Sequence, residues 1–195
     1  MRGEIETYFR ILGDIGGRIE ATDRGGAPVA VADATERFLE TARRTVRDRT
    51  RIFFVGNGGS AGICSHMASD WLRNGGFASA SLNDGATLTC LGNDLGFEQV
   101  FAKQLELHGR PGDLLIAISS SGNSANILRA AQTARAAKMT VITLSGFGKD
   151  NQLRRLGDLN FYVPSDRYGF VEISHLALCH AVLDLSTGMR FAEKA

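Results

Sequence analysis

Apolar residues recur at two different periods along this chain. At the amino end, Tyr8, Ile11, Leu12, Ile15 and Ile19 share one helical stripe, and Val31, Phe38, Leu39, Ala42 and Val46 share another. This predicts helices over residues 4–22 and 31–48, joined by a turn holding Gly25, Gly26 and Pro28. Beyond residue 50, short apolar runs at 51–55, 78–82, 114–118, 140–144 and 159–163 read as strands. Helical patterns separate them at 60–73, 85–91, 97–108, 124–137 and 150–156, and a last helix spans about 170–187. Five strands alternating with helices predict an α/β fold, a parallel sheet covered on both faces. The two leading helices precede the first strand, so they are not crossovers. Either they pack on a second copy of the chain, as oligomer elements, or they fold back on their own sheet.

Length and composition narrow the classes. The chain has 195 residues and 44% hydrophobic content, enough for one substantial core. One domain over 1–195 is expected, a helical hairpin over 1–50 followed by an α/β core over 51–190. With 22 basic and 21 acidic residues the formal net charge is +1, which leaves no electrostatic footprint for nucleic acid or an anionic membrane. The amino terminus lacks the apolar core of a signal peptide, and no apolar stretch approaches the roughly 18 residues that cross a bilayer. A cytoplasmic protein is expected. Cys64, Cys90 and Cys179 lack CxxC spacing and read as small buried or semi-buried residues.

Two strand-to-helix junctions carry the candidate chemistry. The strand 114–118 runs into Ser119-Ser120-Ser121-Gly122-Asn123-Ser124, and the strand 51–55 runs into Gly56-Asn57-Gly58-Gly59-Ser60. A helix start offers unpaired N–H groups and the positive end of a dipole, and serine adds O–H donors, so each loop suits a phosphate. The alternative is that Ser, Asn and Gly only cap a helix and turn the chain. In a parallel sheet, neighbouring junctions face one crevice. Neither loop has the spacing of a nucleoside triphosphate or dinucleotide motif, and a sugar phosphate fits better, since Ser and Asn bond hydroxyls as well as phosphate oxygens.

Ionisable pairs supply the rest. His66 and Asp70 lie four apart on the helix after the first loop, which is metal-ligand spacing. Glu172 and His180 lie within a narrow arc of the last helix, with His175 to one side. Brought together, two histidines and two carboxylates suit zinc or a similar divalent ion. Structural hydrogen bonds are the alternative. Gly92-Asn93-Asp94 reads as a turn or a helix cap, or as a further source of bonds to substrate hydroxyls.

Taken in order, these motifs resemble the SIS (sugar isomerase) domain superfamily, and within it the phosphoheptose isomerase family. The likeness covers nearly the whole chain. It implies a flavodoxin-like sheet, a homotetramer built partly through the amino-terminal helices, a zinc ion, and aldose–ketose isomerisation of sedoheptulose 7-phosphate for lipopolysaccharide, capsule or a related glycoconjugate. Carried over by motif, Asn57, Gly58, Gly59, Ser60, Asn93 and Asp94 contact substrate, Ser119, Ser120, Ser121 and Ser124 hold the phosphate, and His66 and His180 bind zinc, with His180 also moving a proton. Asp70 stands where the family has glutamate, and Glu172 where it has glutamine. We therefore expect Asp70 to act mainly as a metal ligand and Glu172 to take part or all of the base role, both counted with His180 as catalytic and both also at the substrate and the metal. Gly169 and Asn74 occupy the places of a family aspartate and arginine. Two other readings compete: a non-catalytic adaptor resembling the DnaA initiator-associating proteins, and an isomerase of a different sugar phosphate.

Overall fold

The computed structural model describes residues 1–190. Helix α1 (Arg2–Ile15) leads into strands β1 (Glu20–Asp23) and β2 (Pro28–Val29), then α2 (Val31–Arg47). The core follows as β3 (Ile52–Gly56), α3 (Gly59–Gly75), β4 (Ser79–Ser81), α4 (Gly85–Leu95), α5 (Ala102–His108), β5 (Leu114–Ser119), α6 (Ala125–Ala136), β6 (Thr140–Ser145), β7 (Leu159–Tyr162) and α7 (Tyr168–Ser186). The expected helix over 150–156 is a single 3-10 turn, Leu153–Arg155.

The strands form one sheet in the order β2-β1-β7-β6-β5-β3-β4. Its central five strands are parallel, as the alternation predicts. The count is seven rather than five, because β1 pairs antiparallel with both β2 and β7. The helix expected over 4–22 therefore ends at Ile15. Gly16 and Gly17 follow, poor helix formers both, and Asp23 accepts bonds from the Gly25 and Ala27 N–H groups at 2.8 and 2.9 Å to close the hairpin turn. Ile19 sits on the helical stripe only by coincidence of spacing.

Alternate residues of each central strand face opposite helical layers, so the sheet is apolar on both sides. Phe54, Ile116, Ile118 and Leu144 pack with α2, α3 and α7, and Phe53, Val55, Leu115 and Val141 with α5 and α6. Phe38 of α2 is fully buried against Trp71 and Phe161, which stabilises by about 1.5–3 kcal/mol. This decides between the two roles offered for the leading helices. Helix α2 folds back on its own sheet, whereas α1 buries Ile15 and leaves Ile5 and Phe9 exposed.

Helix α7 is 19 residues long with mean hydropathy 1.2, so by length and composition it is apolar enough to cross a bilayer, contrary to the sequence expectation. It instead lies in the core layer, burying Phe170, Val171, Leu178, Val182 and Leu183. Cys64 and Cys179 are buried and free, and burial pushes the Cys179 thiol up to about 12 and the Cys64 thiol well above its usual value, so both are inert at neutral pH. Cys90, expected to be at least semi-buried, is exposed on α4.

Candidate active site

The chain passes from β3 to β4 on one side of the sheet and returns to β5 on the other, so β3 and β5 are neighbours whose following helices leave toward opposite faces. Ligands bind at such a switch point, beyond the carboxyl ends of the strands. A cleft of about 230 Å³ opens there, lined by Asn57, Gly58, Gly59, Ser60, Ser119, Ser120, Ser121, Ser124, Tyr168 and Glu172. Eight of these ten come from the two loops read from sequence.

The loop serines do not cap their helix. Ser124 stands at the N-cap of α6, yet its side chain caps nothing and lies 3.2 Å from Ser119 Oγ instead. Ser119 Oγ in turn accepts from the Gly122 N–H at 3.1 Å. Gly58 at the N-cap of α3 has no side chain to offer. Both helices therefore present first-turn N–H groups to one cleft, a ready site for an anion. Ser120 Oγ is buried there without a partner among the described residues. The Asn57 amide is differently engaged: it forms a reciprocal pair with Asn126, at 2.9 and 2.8 Å, which ties one loop to the other. Asn126 and Tyr168 escaped the sequence reading. Asn126 lies in the first turn of a helix pattern, and Tyr168 two residues before the expected helix start.

Glu172 reaches the cleft through a gap left by Gly59. A methyl group at residue 59 would overlap the Glu172 carboxylate, so glycine is what lets that carboxylate sit against the start of α3.

The second constellation shares no residue with the cleft lining. His66 Nε2 lies 3.3 Å from His180 Nε2 and 3.6 Å from Asp70 Oδ2, and the three donor atoms fall within 4.8 Å of one another. Two nitrogens at about 2.0–2.1 Å from a tetrahedral zinc stand roughly 3.3 Å apart, so the pair has the right separation, and two imidazoles with a carboxylate are a suitable donor set. Glu172, expected as a fourth ligand, stands apart from this triad. It precedes His180 by eight residues, a rise of about 12 Å along α7. The same offset operates on α3, where Gly59 faces Glu172 and His66 faces His180. Of the four groups expected in one site, three form the cluster and the Glu172 carboxylate lies against Gly59.

Asn93 and Asp94, expected at the substrate, do not line the cleft. Both are exposed in the last turn of α4, and the Asn93 amide donates to Asp94 at 2.8 Å. Neither residue is among those that line the cleft between the two loops.

The SIS domain family profile matches residues 29–146, a span holding both loops, His66 and Asp70 but not α7. The chain is 36% identical over 175 residues to the phosphoheptose isomerase of Dechloromonas aromatica, covering 86% of each chain. It is 38% identical over 173 residues to that of Mycobacterium tuberculosis, covering 82% of this chain and 88% of the relative. Phosphoheptose isomerase GmhA from Neisseria gonorrhoeae superposes with a TM-score of 0.84 at 29% identity, covering 96% of this chain and 99% of that one. Shared sequence, shared architecture and a paired-loop cleft at the switch point agree: the chain belongs to the SIS-domain phosphoheptose isomerase family.

Proposed function

We propose that this protein converts sedoheptulose 7-phosphate to D-glycero-D-manno-heptose 7-phosphate in the cytoplasm, for a lipopolysaccharide, capsule or related heptose-bearing glycoconjugate. The observation that carries the reading is the convergence of two uncapped helix starts and the serine hydroxyls on a cleft that also holds Glu172. Ser119, Ser120, Ser121 and Ser124, with the first-turn N–H groups, bind the phosphate, and that anchor positions the reacting end. Of the three groups expected to do chemistry, Glu172 lines the cleft, while Asp70 and His180 stand in the triad. Glu172 accordingly takes a proton from C1 of the ketose, and the electron pair left behind forms the C1–C2 double bond of an enediol as the C2 oxygen gains a proton. Return of a proton to C2, with loss of the O1 proton, yields the aldose. His66, Asp70 and His180 would hold one zinc ion per subunit, which when bound supplies Lewis acidity and a fixed positive charge. The exposed Ile5 and Phe9 of α1, with Leu72 and Ile173, support assembly of copies of the chain into a homotetramer.

The direct test mixes purified protein with sedoheptulose 7-phosphate, follows the aldose by NMR, and measures bound zinc. Aldose formation with near-stoichiometric zinc is expected. No turnover in zinc-supplemented enzyme overturns the catalytic reading and favours the adaptor. Turnover of another ketose phosphate in its place would reassign the substrate.

Tyr168 has a separate expected effect. It is exposed at the rim, with its ring edge-on to Phe147 at 4.8 Å. Losing its contact with bound sugar costs about 1.4 kcal/mol, so Tyr168→Ala raises KM about tenfold with little change in kcat. An unchanged KM would put Tyr168 beyond the reach of the sugar.

A further inference from the structure

His175 has no part in the cleft or the triad. It is 1% exposed in the middle of α7, and its Nε2 lies 3.1 Å from the Ser145 carbonyl oxygen at the end of β6. A carbonyl only accepts, so Nε2 carries the proton, and Nδ1 is left buried without a partner among the described residues. Burial pushes the imidazole down to about 4, which keeps it neutral at working pH. An apolar side chain would fill this space without orphaning a nitrogen. What the imidazole adds is one N–H aimed at one carbonyl.

That carbonyl belongs to the peptide whose other end is the Gly146 N–H, and the Gly146 N–H donates to the Ser120 carbonyl at 3.0 Å. A single peptide plane is thus bonded on one edge to α7 and on the other to the serine loop. Such a chain of bonds strengthens each member, because each polarises the next. Packing repeats the connection. A methyl group at residue 146 would lie 2.7 and 2.8 Å from the two Val171 methyls and 3.2 Å from the Ser120 oxygen, so Val171 and the serine loop close on this peptide from both sides. The Ser145 hydroxyl is held as well, by the Asn151 amide at 3.2 Å. Glu172 lies between Val171 and His175 on the same helix.

We propose that His175 is a positioning residue: through the Ser145–Gly146 peptide it fixes the helix bearing Glu172 against the loop that anchors phosphate. The proposal rests on the isomerase reading, since it presumes that Glu172 meets a substrate held by the serines. Misplacement by about 1 Å costs up to a hundredfold in rate, whereas phosphate binding depends mainly on the loop itself.

The test compares His175→Leu, which loses the donor, with His175→Gln, whose amide can restore it. Gly146→Ala serves as a second break at the same peptide, and Phe38→Leu as a destabilising change far from it. For each, kcat and KM are measured per folded protein, with melting temperature and with inorganic phosphate affinity by phosphorus NMR. His175→Leu and Gly146→Ala should lower kcat about 10- to 100-fold with a much smaller change in KM. His175→Gln should stay within about threefold of the parent, on the strength of the restored hydrogen bond. Phe38→Leu should lower the melting temperature alone. Equal kcat in the Leu and Gln variants, high or low, overturns the proposal. The parent's own turnover reports on the isomerase reading, and phosphate affinity on the loop, so the two failures are distinguishable.

Discussion

Glu172→Gln should lower turnover by about a thousandfold, the middle of the range for losing a positioned general base. Glutamine matches the size of glutamate and fits the same gap beside Gly59, so the cleft keeps its shape. What is lost is the ability to accept a proton from carbon. KM should change little, because the proposed phosphate anchor, the cleft-lining Ser119, Ser120, Ser121 and Ser124, is untouched. Zinc content should also hold, since the triad is His66, Asp70 and His180. Asp70→Asn should show the opposite pattern, loss of bound metal first and of activity as its consequence. Steady-state kinetics paired with metal analysis on the two variants separates the roles. Full turnover in the Glu172 variant would remove the base assignment, and loss of zinc there would make Glu172 a ligand.

Gly122→Ala carries the largest expected cost in stability. Gly122 has φ of +65°, in the left-handed region, and a methyl group there would overlap the buried Asn151 side chain. The left-handed backbone costs about 1–2 kcal/mol for an alanine. Displacing Asn151 adds about 1 kcal/mol for each bond it loses, to Ser145 Oγ, the Gly146 and Gly148 carbonyls and the Arg154 N–H. With one or two of these bonds lost, a total of roughly 3 kcal/mol lowers the melting temperature by about 6–12 °C in a chain of this size. Function should suffer in parallel, because the Gly122 N–H is what orients Ser119 Oγ. A rise in KM with a modest effect on kcat is expected, the reverse of the Glu172 variant. A melting temperature equal to the parent's would show that the loop absorbs the methyl group.

The comparison of sequence with structure turns on how local each feature is. Both phosphate-type loops were legible because a strand, a glycine- or serine-rich turn and a helix start are contiguous, and each stretch carries its own signal. The β1–β2 hairpin was not legible, since its strands are short and Ala21 and Thr22 join the main sheet by pairing with β7, some 140 residues on. Glu172 was read as one of four metal ligands, and the structure sets its carboxylate against Gly59, outside the cluster of His66, Asp70 and His180. An arc on one helix records direction around the axis and says nothing of how far along a partner helix the other ligands stand. Asn93 and Asp94, read as a turn, a helix cap or a substrate contact, lie in the last turn of α4 and outside the cleft lining, a placement that local spacing does not record.

By itself, then, the sequence determined the order and type of most core elements, the two glycine- and serine-rich loops at strand ends and the His66–Asp70 pair, all matters of local spacing and backbone chemistry. Tertiary structure decided the rest. Strand order made β3 and β5 neighbours and so merged the loops into one cleft, and the parallel packing of α3 and α7 put Glu172 at the cleft and His180 at the triad. Only contacts between residues distant in the chain determine such relations, and hydrophobic periodicity, which tells a residue which way to face, does not tell it what it will meet.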